Sequence, residues 1–220
     1  MSQKIIRKHF NSKKIVNVFA DMEPSAQIAD YFTKIKKAEG IKVLDIGCGG
    51  GRNAELLVKL GFDVYACDCA GAMVRFTKKR IAKISGKMAR NIVSAPMTSL
   101  PYPDGFFDYA VSIGTYHNAC SFQELRTAFS ETARILKSGG KLVLAVFSSK
   151  TTSDKLKKAK DKKFVYLRAS GRPSVLLPKN GLSELLKKNN LFPEGAVSEK
   201  IIINIEAARR SIVTGFFVKK

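Results

Sequence analysis

Apolar positions along the chain follow two periods in turn. Nearly continuous apolar runs, typical of strands buried on both faces of a parallel sheet, occur at residues 41–46, 62–67, 91–94, 107–113 and 141–147. Apolar residues at helical spacing occur between them, at residues 52–60, 73–84 and 122–136. Strands that alternate with helices at short spacing are typical of βαβ units, so the pattern predicts an α/β fold with a mostly parallel sheet.

The last part of the sequence adds two more predicted strands. Residues 182–188 have a helical pattern, and apolar runs follow at residues 196–205 and 211–218, joined by a turn-like segment at 206–210. A join this short permits an antiparallel pair. The full prediction is a doubly wound, mostly parallel sheet of seven strands whose last strand is antiparallel.

Two segments stand outside this pattern. We expect residues 40–220 to form the main domain and residues 1–39 to be a helical N-terminal segment, which either packs on the domain or folds over a pocket as a lid. The aromatic residues that would line such a lid are Phe10, Phe19 and Tyr31. Residues 148–174 are a basic insertion with six lysines between residues 151 and 163, which indicates a surface insertion, a mobile helix or disorder. Its lysines either contact an anionic substrate or stay solvated.

Charge is the most unusual property of the composition. Lysine and arginine total 39 against 18 acidic residues, a formal net charge of +21. Seven basic residues and no acid fall between residues 71 and 90. Such a balance favours contact with polyanions such as RNA, although a lysine-rich proteome would produce it as well.

Other features of the composition concern location and metal chemistry. No apolar run reaches the roughly 20 residues of a membrane-spanning helix, and no apolar segment typical of a signal peptide follows the first basic residues. We therefore expect a cytoplasmic protein without membrane insertion. The four cysteines form no C-x-x-C pair, so we expect no metal site and small, buried, reduced thiols.

The strongest local signal is a glycine-rich loop at residues 47–51, where a buried strand runs into glycines and then into a helix. Glycine lets a ligand approach the backbone closely, and the start of the helix offers free N–H groups. The NAD-binding pattern G-x-G-x-x-G fits poorly, because its last position is Arg52 counted from Gly47, or Ala54, a tolerated substitute, counted from Gly49.

Two acidic residues refine the choice of ligand. Asp45 lies inside the strand before the loop and favours a ligand with an amino group over one with a pyrophosphate. Asp68 ends the next strand, where its carboxylate can accept hydrogen bonds from both hydroxyls of a ribose. The second feature suits a dinucleotide as well.

Three segments together resemble the class I S-adenosylmethionine-dependent methyltransferases, in particular the type 11-like members. Residues 44–51 are similar to the family's first motif, residues 100–108 to its loop before the fourth strand, and residues 136–142 to its turn into the fifth strand. The resemblance covers residues 40–147 well. It implies a Rossmann-like methyltransferase fold with S-adenosylmethionine as the cofactor.

The same resemblance implies a set of cofactor-binding positions. The glycine loop would wrap the methionine part, Asp68 would hold the ribose, and Met73 and Cys69 would lie beside the adenine. Many members carry an acid where this chain has Pro96, so backbone and apolar groups near Met97 would hold the adenine here. The predicted cofactor-binding residues are Asp45, Gly47, Cys48, Gly49, Gly51, Asp68, Cys69, Met73, Pro96, Met97 and Gly114.

Methyl transfer asks little of the protein beyond alignment. The sulfonium already activates the methyl group, so a general base is needed only where the acceptor loses a proton. Ligands of open α/β sheets bind outside the carboxyl ends of the strands, where Gly114, Tyr116 and His117 follow the fourth strand. His117 is a candidate base or substrate contact, since its ordinary pKa is near neutrality, and Tyr116 is a second candidate. The alternatives are that His117 caps or packs on the next helix and that Tyr116 belongs to the core.

These observations favour a methyltransferase that acts on a small molecule, because the chain is compact and lacks a separate RNA-binding domain. One alternative is a methyltransferase that acts on tRNA, favoured by the net charge and by residues 71–90. Another is a non-catalytic subunit that retains the fold. A dehydrogenase is a more remote alternative.

Overall fold

The computed structural model describes residues 2–152, 156–160, 162–203 and 209–220. Its strands are β1 (Lys42–Ile46), β2 (Asp63–Asp68), β3 (Ile92–Ser94), β4 (Phe107–Ile113), β5 (Leu136–Phe147), β6 (Leu156–Lys158), β7 (Val165–Arg168), β8 (Pro173–Val175), β9 (Leu191–Pro193), β10 (Ser198–Ile203) and β11 (Arg209–Lys219). Its helices are α1 (Ser2–Phe10), α2 (Lys13–Ala20), α3 (Ala26–Phe32), α4 (Arg52–Lys59), α5 (Gly71–Ala82), α6 (Gly86–Ala89), α7 (Phe122–Ile135) and α8 (Lys179–Lys187). None of these described helices is both long enough and apolar enough to cross a bilayer.

The central sheet has the strand order β10-β11-β5-β4-β1-β2-β3. Strands β1 to β5 pair in parallel, whereas β11 runs antiparallel to both β5 and β10. The predicted fold class is confirmed, and the strands along this path correspond to the seven predicted ones. An eighth strand, β9, pairs with β11. It was not predicted because it is short and contains Pro193, a residue type that argues against a strand.

The core occupies both faces of the sheet, because neighbouring residues of a buried strand point to opposite sides. On one face Leu44 belongs to an apolar cluster with side chains of α7 and α8, including Phe129. On the other face Val43 belongs to a cluster with side chains of α3, α4 and α5, including Leu57. Helices on both faces make the sheet doubly wound.

The N-terminal segment divides into two parts. Helix α3 is part of the core, since Phe32 is fully buried and Tyr31 packs on the ring of Phe216. Helix α2 instead contacts α5, where Val16 packs against Met73. Parallel strands end at one edge of the sheet, so the segments that follow β1, β2 and β4 lie together there. Helix α2 lies at this edge as well, since its Phe19 contacts Gly49.

The basic insertion contains a small antiparallel sheet in the order β6-β7-β8. Val165 and Val175 of this sheet are buried in the main core. The alternative of a mobile helix is therefore wrong for the described part of the insertion. Its strands were not predicted because they have only three or four residues and the pattern of apolar positions in them is weak. Residues 153–155 and 161 of the insertion lie outside the described residues, and so do residues 204–208, which include most of the predicted turn at 206–210.

Candidate functional site

The loop between β1 and α4 has a shape that requires glycine, as Gly47 and Gly49 show most clearly. Gly47 and Gly49 have φ angles of 72° and 54°, in the left-handed region. A Cβ at Gly47 would collide with the side chain of Thr115, and one at Gly49 would lie 3.0 Å from Cδ1 of Phe19. The N–H of Gly47 donates to the carbonyl of Cys67 at 2.8 Å, which ties the loop to the end of β2.

Asp68, the last residue of β2, faces this loop. Its Oδ2 accepts a hydrogen bond from the N–H of Gly49 at 3.0 Å, and its Oδ1 accepts one from the N–H of Ala70 at 2.8 Å. Burial raises the pKa of this carboxyl, and the backbone donors act against that rise. An ionised carboxylate has about four acceptor positions, so Asp68 retains capacity for a ligand hydroxyl.

A first cavity of about 80 Å³ lies beside the glycine loop and Asp68. It brings together seven of the predicted cofactor-binding residues, namely Gly47, Gly49, Asp68, Cys69, Pro96, Met97 and Gly114. Phe10 and Phe19 of the predicted lid also line it, whereas Tyr31 does not. The sequence did not single out Gln3, Ile6, Ile113, Thr115, Asn118 or Glu124 as lining residues. Gln3 of α1 donates to Glu124 of α7, so the first helix closes one side of this cavity.

Three more of the predicted residues, two of the loop itself and one of α5, lie outside the lining of the cavity. Cys48 is buried, with its Sγ 3.8 Å from Oγ1 of Thr77. A Cβ at Gly51 would lie 2.8 Å from the same Thr77 side chain. Met73 is fully buried and packs with Val16 of α2. Cys48 and Gly51 thus lie against Thr77 of α5, and Met73 connects α5 to α2.

Asp45 is the fourth predicted residue outside the lining, and it is only 1% exposed. It accepts a hydrogen bond from the backbone of Ala54, and its Oδ2 has no hydrogen-bond partner among the described residues. Burial, followed by the negative charge of Asp68, raises the pKa of Asp45 to about 7, while the charge of Arg52 acts in the opposite direction. A buried carboxyl with an unpaired oxygen beside a cavity is typical of a functional site.

A second, larger cavity of about 430 Å³ adjoins the first. Both cavities are lined by Phe10, Phe19, Ile113, Gly114 and Asn118. The polar lining of the second cavity is basic, and no acid is among the lining residues that the structure describes. Its basic residues are His9, Arg52, His117, Arg168, Arg172 and Arg210.

His117 lies in the wall of the second cavity and is 5% exposed. Its ring stacks on Phe147 at 4.3 Å between centroids, and its Nδ1 accepts the N–H of Phe147 at 3.4 Å. Burial, followed by the charges of nearby arginines, lowers the pKa of His117 well below its ordinary value. The imidazole is therefore neutral at pH 7, with its proton on Nε2.

Tyr116 occupies a different environment, although it is the neighbour of His117. Its side chain is fully buried, its hydroxyl pairs with that of Thr132, and its ring packs on Phe129 at 4.5 Å between centroids. Tyr116 lines neither the first nor the second cavity. Of the two interpretations of Tyr116, the structure favours the core residue over the catalytic one.

Comparison with known proteins relates this geometry to a family. Residues 44–144 match the family described as "Methyltransferase domain". The chain is 35% identical over 109 residues to a demethylmenaquinone methyltransferase of Paenarthrobacter aurescens. The aligned segment covers 50% of this chain and 40% of that protein. The chain is 29% identical over 119 residues to the probable tRNA methyltransferase 9B of Mus musculus. That alignment covers 54% of this chain and 24% of that protein. The chain thus spans less than half the length of these two relatives.

The fold has close counterparts among solved structures. One is the 1,6-didemethyltoxoflavin-N1-methyltransferase of Burkholderia thailandensis, solved with 1,6-didemethyltoxoflavin and S-adenosylhomocysteine. It is similar with a TM-score of 0.69 at 17% identity, over 99% of this chain and 88% of that one. At this identity the likeness concerns the fold. This likeness confirms the predicted fold, and the match at residues 44–144 and the named relatives support the predicted similarity of this chain to class I S-adenosylmethionine-dependent methyltransferases, with S-adenosylmethionine as the cofactor.

Proposed function

We propose that the protein transfers a methyl group from S-adenosylmethionine, held at the first cavity, to a small molecule held in the second. The observation that carries this proposal is the shared wall at Gly114 and Asn118, where the cavity beside the glycine loop adjoins the larger one. Direct displacement needs the donor and the acceptor side by side and shielded from water. Gly114 has no side chain at this junction, which leaves room for the reacting groups.

The residues around the first cavity suit S-adenosylmethionine, whose sulfonium supplies an activated methyl group. In this proposal the side-chain-free backbone of Gly47 and Gly49 holds the methionine part, and Asp68 accepts the ribose hydroxyls. Asp45 lies outside the cavity lining, so in this proposal its carboxylate favours the positively charged amino group by its charge and without direct contact. Cys69, Pro96 and Met97 contact the adenine, and the residues that support the loop are Cys48, Gly51 and Met73.

His117 serves as a substrate contact in this proposal. Since Nδ1 accepts the N–H of Phe147, the neutral ring carries its proton on Nε2 and can donate a hydrogen bond from there. Proton removal by His117 would require Nδ1, which faces the backbone. The ring therefore orients an acceptor atom and does not act as a general base.

The N-terminal helices α1 and α2 act as a lid in this proposal. The first cavity has about 80 Å³ of free volume, whereas sites for small molecules commonly have about 300–1,000 Å³. The ring of Phe19 lies over Gly49, and a Cβ at Gly50 would lie 2.5 Å from the carbonyl oxygen of Phe19. Entry of the cofactor therefore requires outward movement of α2, and its return would exclude water from the reacting groups.

The test follows a labelled methyl group. The purified protein is incubated with S-adenosylmethionine labelled in the methyl group and, in separate reactions, with the small-molecule fraction and with the tRNA of a cell extract. The expected result is label in the small-molecule reaction, absent from a matched reaction with Gly49→Val. Label in tRNA alone would replace the proposal with its first alternative. Cofactor binding without any transfer would favour a non-catalytic subunit.

Transfer to tRNA is the second candidate function, and the exposed basic face of α5 and α6 favours it. Six of the seven basic residues between 71 and 90 are exposed on this face, namely Arg75, Lys78, Lys79, Lys83, Lys87 and Arg90. Arg80 is the exception, since it pairs with Glu55 and donates to the carbonyl of Gly50. Phosphate contacts make affinity fall steeply with salt. Failure to bind bulk tRNA even at low salt would exclude this candidate.

A further inference from the structure

Three arginines converge on the second cavity from separate parts of the fold. Arg168 ends β7 and Arg172 precedes β8, both in the small sheet of the insertion, whereas Arg210 belongs to β11 of the central sheet. Arg168 and Arg172 are partly buried, and Arg210 is exposed at the rim. The fold thus brings Arg210 to the two arginines of the insertion, from which it is distant in the sequence.

Aromatic rings hold these guanidinium groups without neutralising them. The Cζ atoms of Arg168 and Arg210 lie 5.9 and 5.8 Å from the ring centre of Phe147. The Cζ atom of Arg172 lies 5.1 Å from the ring centre of Phe10. Contacts of this kind orient an arginine over a ring and leave its N–H groups available to a ligand.

Among the described residues, the two partly buried arginines differ in the hydrogen bonds of their Nε groups. The Nε of Arg168 donates to Oγ of Ser174 at 2.9 Å. The Nε of Arg172 is buried and has no hydrogen-bond partner among the described residues. Since buried donors are nearly always paired in proteins, an unpaired one in a cavity wall points to a ligand as its partner.

Among the described residues, no acidic side chain compensates the charge of this cluster. Within the described parts of the chain none of the three arginines forms an ion pair, whereas Arg80, elsewhere in the fold, pairs with Glu55 at 2.6 Å. Burial, followed by the charge of Arg168, lowers the pKa of Arg172 to about 10. Like charges held together at low exposure are unfavourable, and an anion between them would relieve the repulsion.

We propose that Arg168, Arg172 and Arg210 bind an anionic group, a carboxylate or a phosphate, of the small molecule that accepts the methyl group. The inference rests on the proposed function, because it treats the second cavity as the acceptor site. Guanidinium groups match both anions with paired N–H donors. The insertion thus contributes two arginines to acceptor binding, in place of the lysines that the sequence suggested.

Titration of the protein with inorganic phosphate and, separately, with acetate tests this site. Arginine Nε–H signals are followed by NMR, in the wild type and in Arg172→Gln, Arg210→Gln and Arg126→Gln. Arg126 is an exposed arginine of α7 and is the charge-matched control. Thermal unfolding checks that each variant is folded, and Arg210→Gln tests the site from the central sheet if Arg172→Gln unfolds.

The expected result is saturable binding of at least one anion, weakened about tenfold in the two cavity variants and unchanged in Arg126→Gln. The anion that saturates identifies the chemical class. Absence of saturation with both anions, or equal loss in the control, would overturn the proposal. Parallel calorimetry with S-adenosylhomocysteine separates the two levels: normal cofactor binding without an anion site contradicts this inference alone, whereas an anion site without cofactor binding contradicts the proposed function.

Discussion

Replacement of Asp68 by alanine probes the proposed ribose contact and the anchoring of the glycine loop together. The carboxylate accepts N–H groups from Gly49 and Ala70 and, in the proposal, the ribose hydroxyls of the cofactor. A hydrogen bond to a charged group contributes about 1.5–3 kcal/mol, and part of the loss is recovered when water replaces the carboxylate. We therefore expect Asp68→Ala to weaken cofactor binding by about 1–3 kcal/mol, a factor of about 5 to 150 in Kd.

Isothermal titration calorimetry with S-adenosylhomocysteine measures this change. Asp68→Asn retains one acceptor oxygen, so its loss should be intermediate. Asp63→Ala is the matched control, because Asp63 begins the same strand at the opposite edge of the sheet. Urea unfolding of each variant separates weakened binding from loss of the fold. An affinity of Asp68→Ala equal to that of the wild type would mean that the ribose site is misplaced.

Three further changes test neighbouring parts of the account. Gly49→Val should abolish cofactor binding, since φ is 54° at this residue and an added Cβ would lie 3.0 Å from the ring of Phe19. Normal binding in calorimetry would count against the site. Phe19→Ala should speed cofactor association in stopped-flow measurements because it removes the ring over Gly49, and an unchanged rate would argue against a lid. Asp45→Asn concerns stability: burial raises the pKa of Asp45 to about 7, so between about pH 4 and 7 the folded protein holds a proton that the unfolded chain releases. The free energy of unfolding should therefore fall as pH rises through that window, by up to about 4 kcal/mol, and Asp45→Asn should lack this part of the fall. Identical pH profiles in urea unfolding would refute this reasoning.

The sheet was predictable because its strands are long and buried. β1, β2 and β4 show nearly continuous apolar runs, and their carboxyl ends define where a ligand can bind. Gly47 and Gly49 lie within three residues after β1 and Asp68 is the last residue of β2, so local sequence was enough to bring them to one cavity. Whether these residues bind the cofactor is the proposal that the variants above test.

Other features depend on contacts between distant parts of the chain. Gln3 and Ile6 line the first cavity only because α1 packs beside α7, and no periodicity of α1 contains that information. Tyr116 and His117 are adjacent in the sequence, yet Tyr116 lies in the core and His117 in a cavity wall. Both belong to a single 3₁₀ turn, Tyr116–Asn118, whose backbone directs them to different sides.

The sequence did not indicate the arginines of the second cavity, because the whole chain is rich in basic residues. In a chain with 39 basic residues, Arg168 and Arg172 are not distinctive, and the strands β7 and β8 beside them were not predicted. The unpaired Nε of Arg172 becomes apparent only when the insertion is folded against the cavity.

Calorimetric titration of the wild-type protein with S-adenosylhomocysteine, and separately with NADH, tests the central claim most directly. The glycine loop, Asp45 and Asp68 predict saturable binding of S-adenosylhomocysteine with one site per chain, lost in Gly49→Val, and no binding of NADH. Saturable binding of NADH, or absence of S-adenosylhomocysteine binding by the folded protein, would contradict the account.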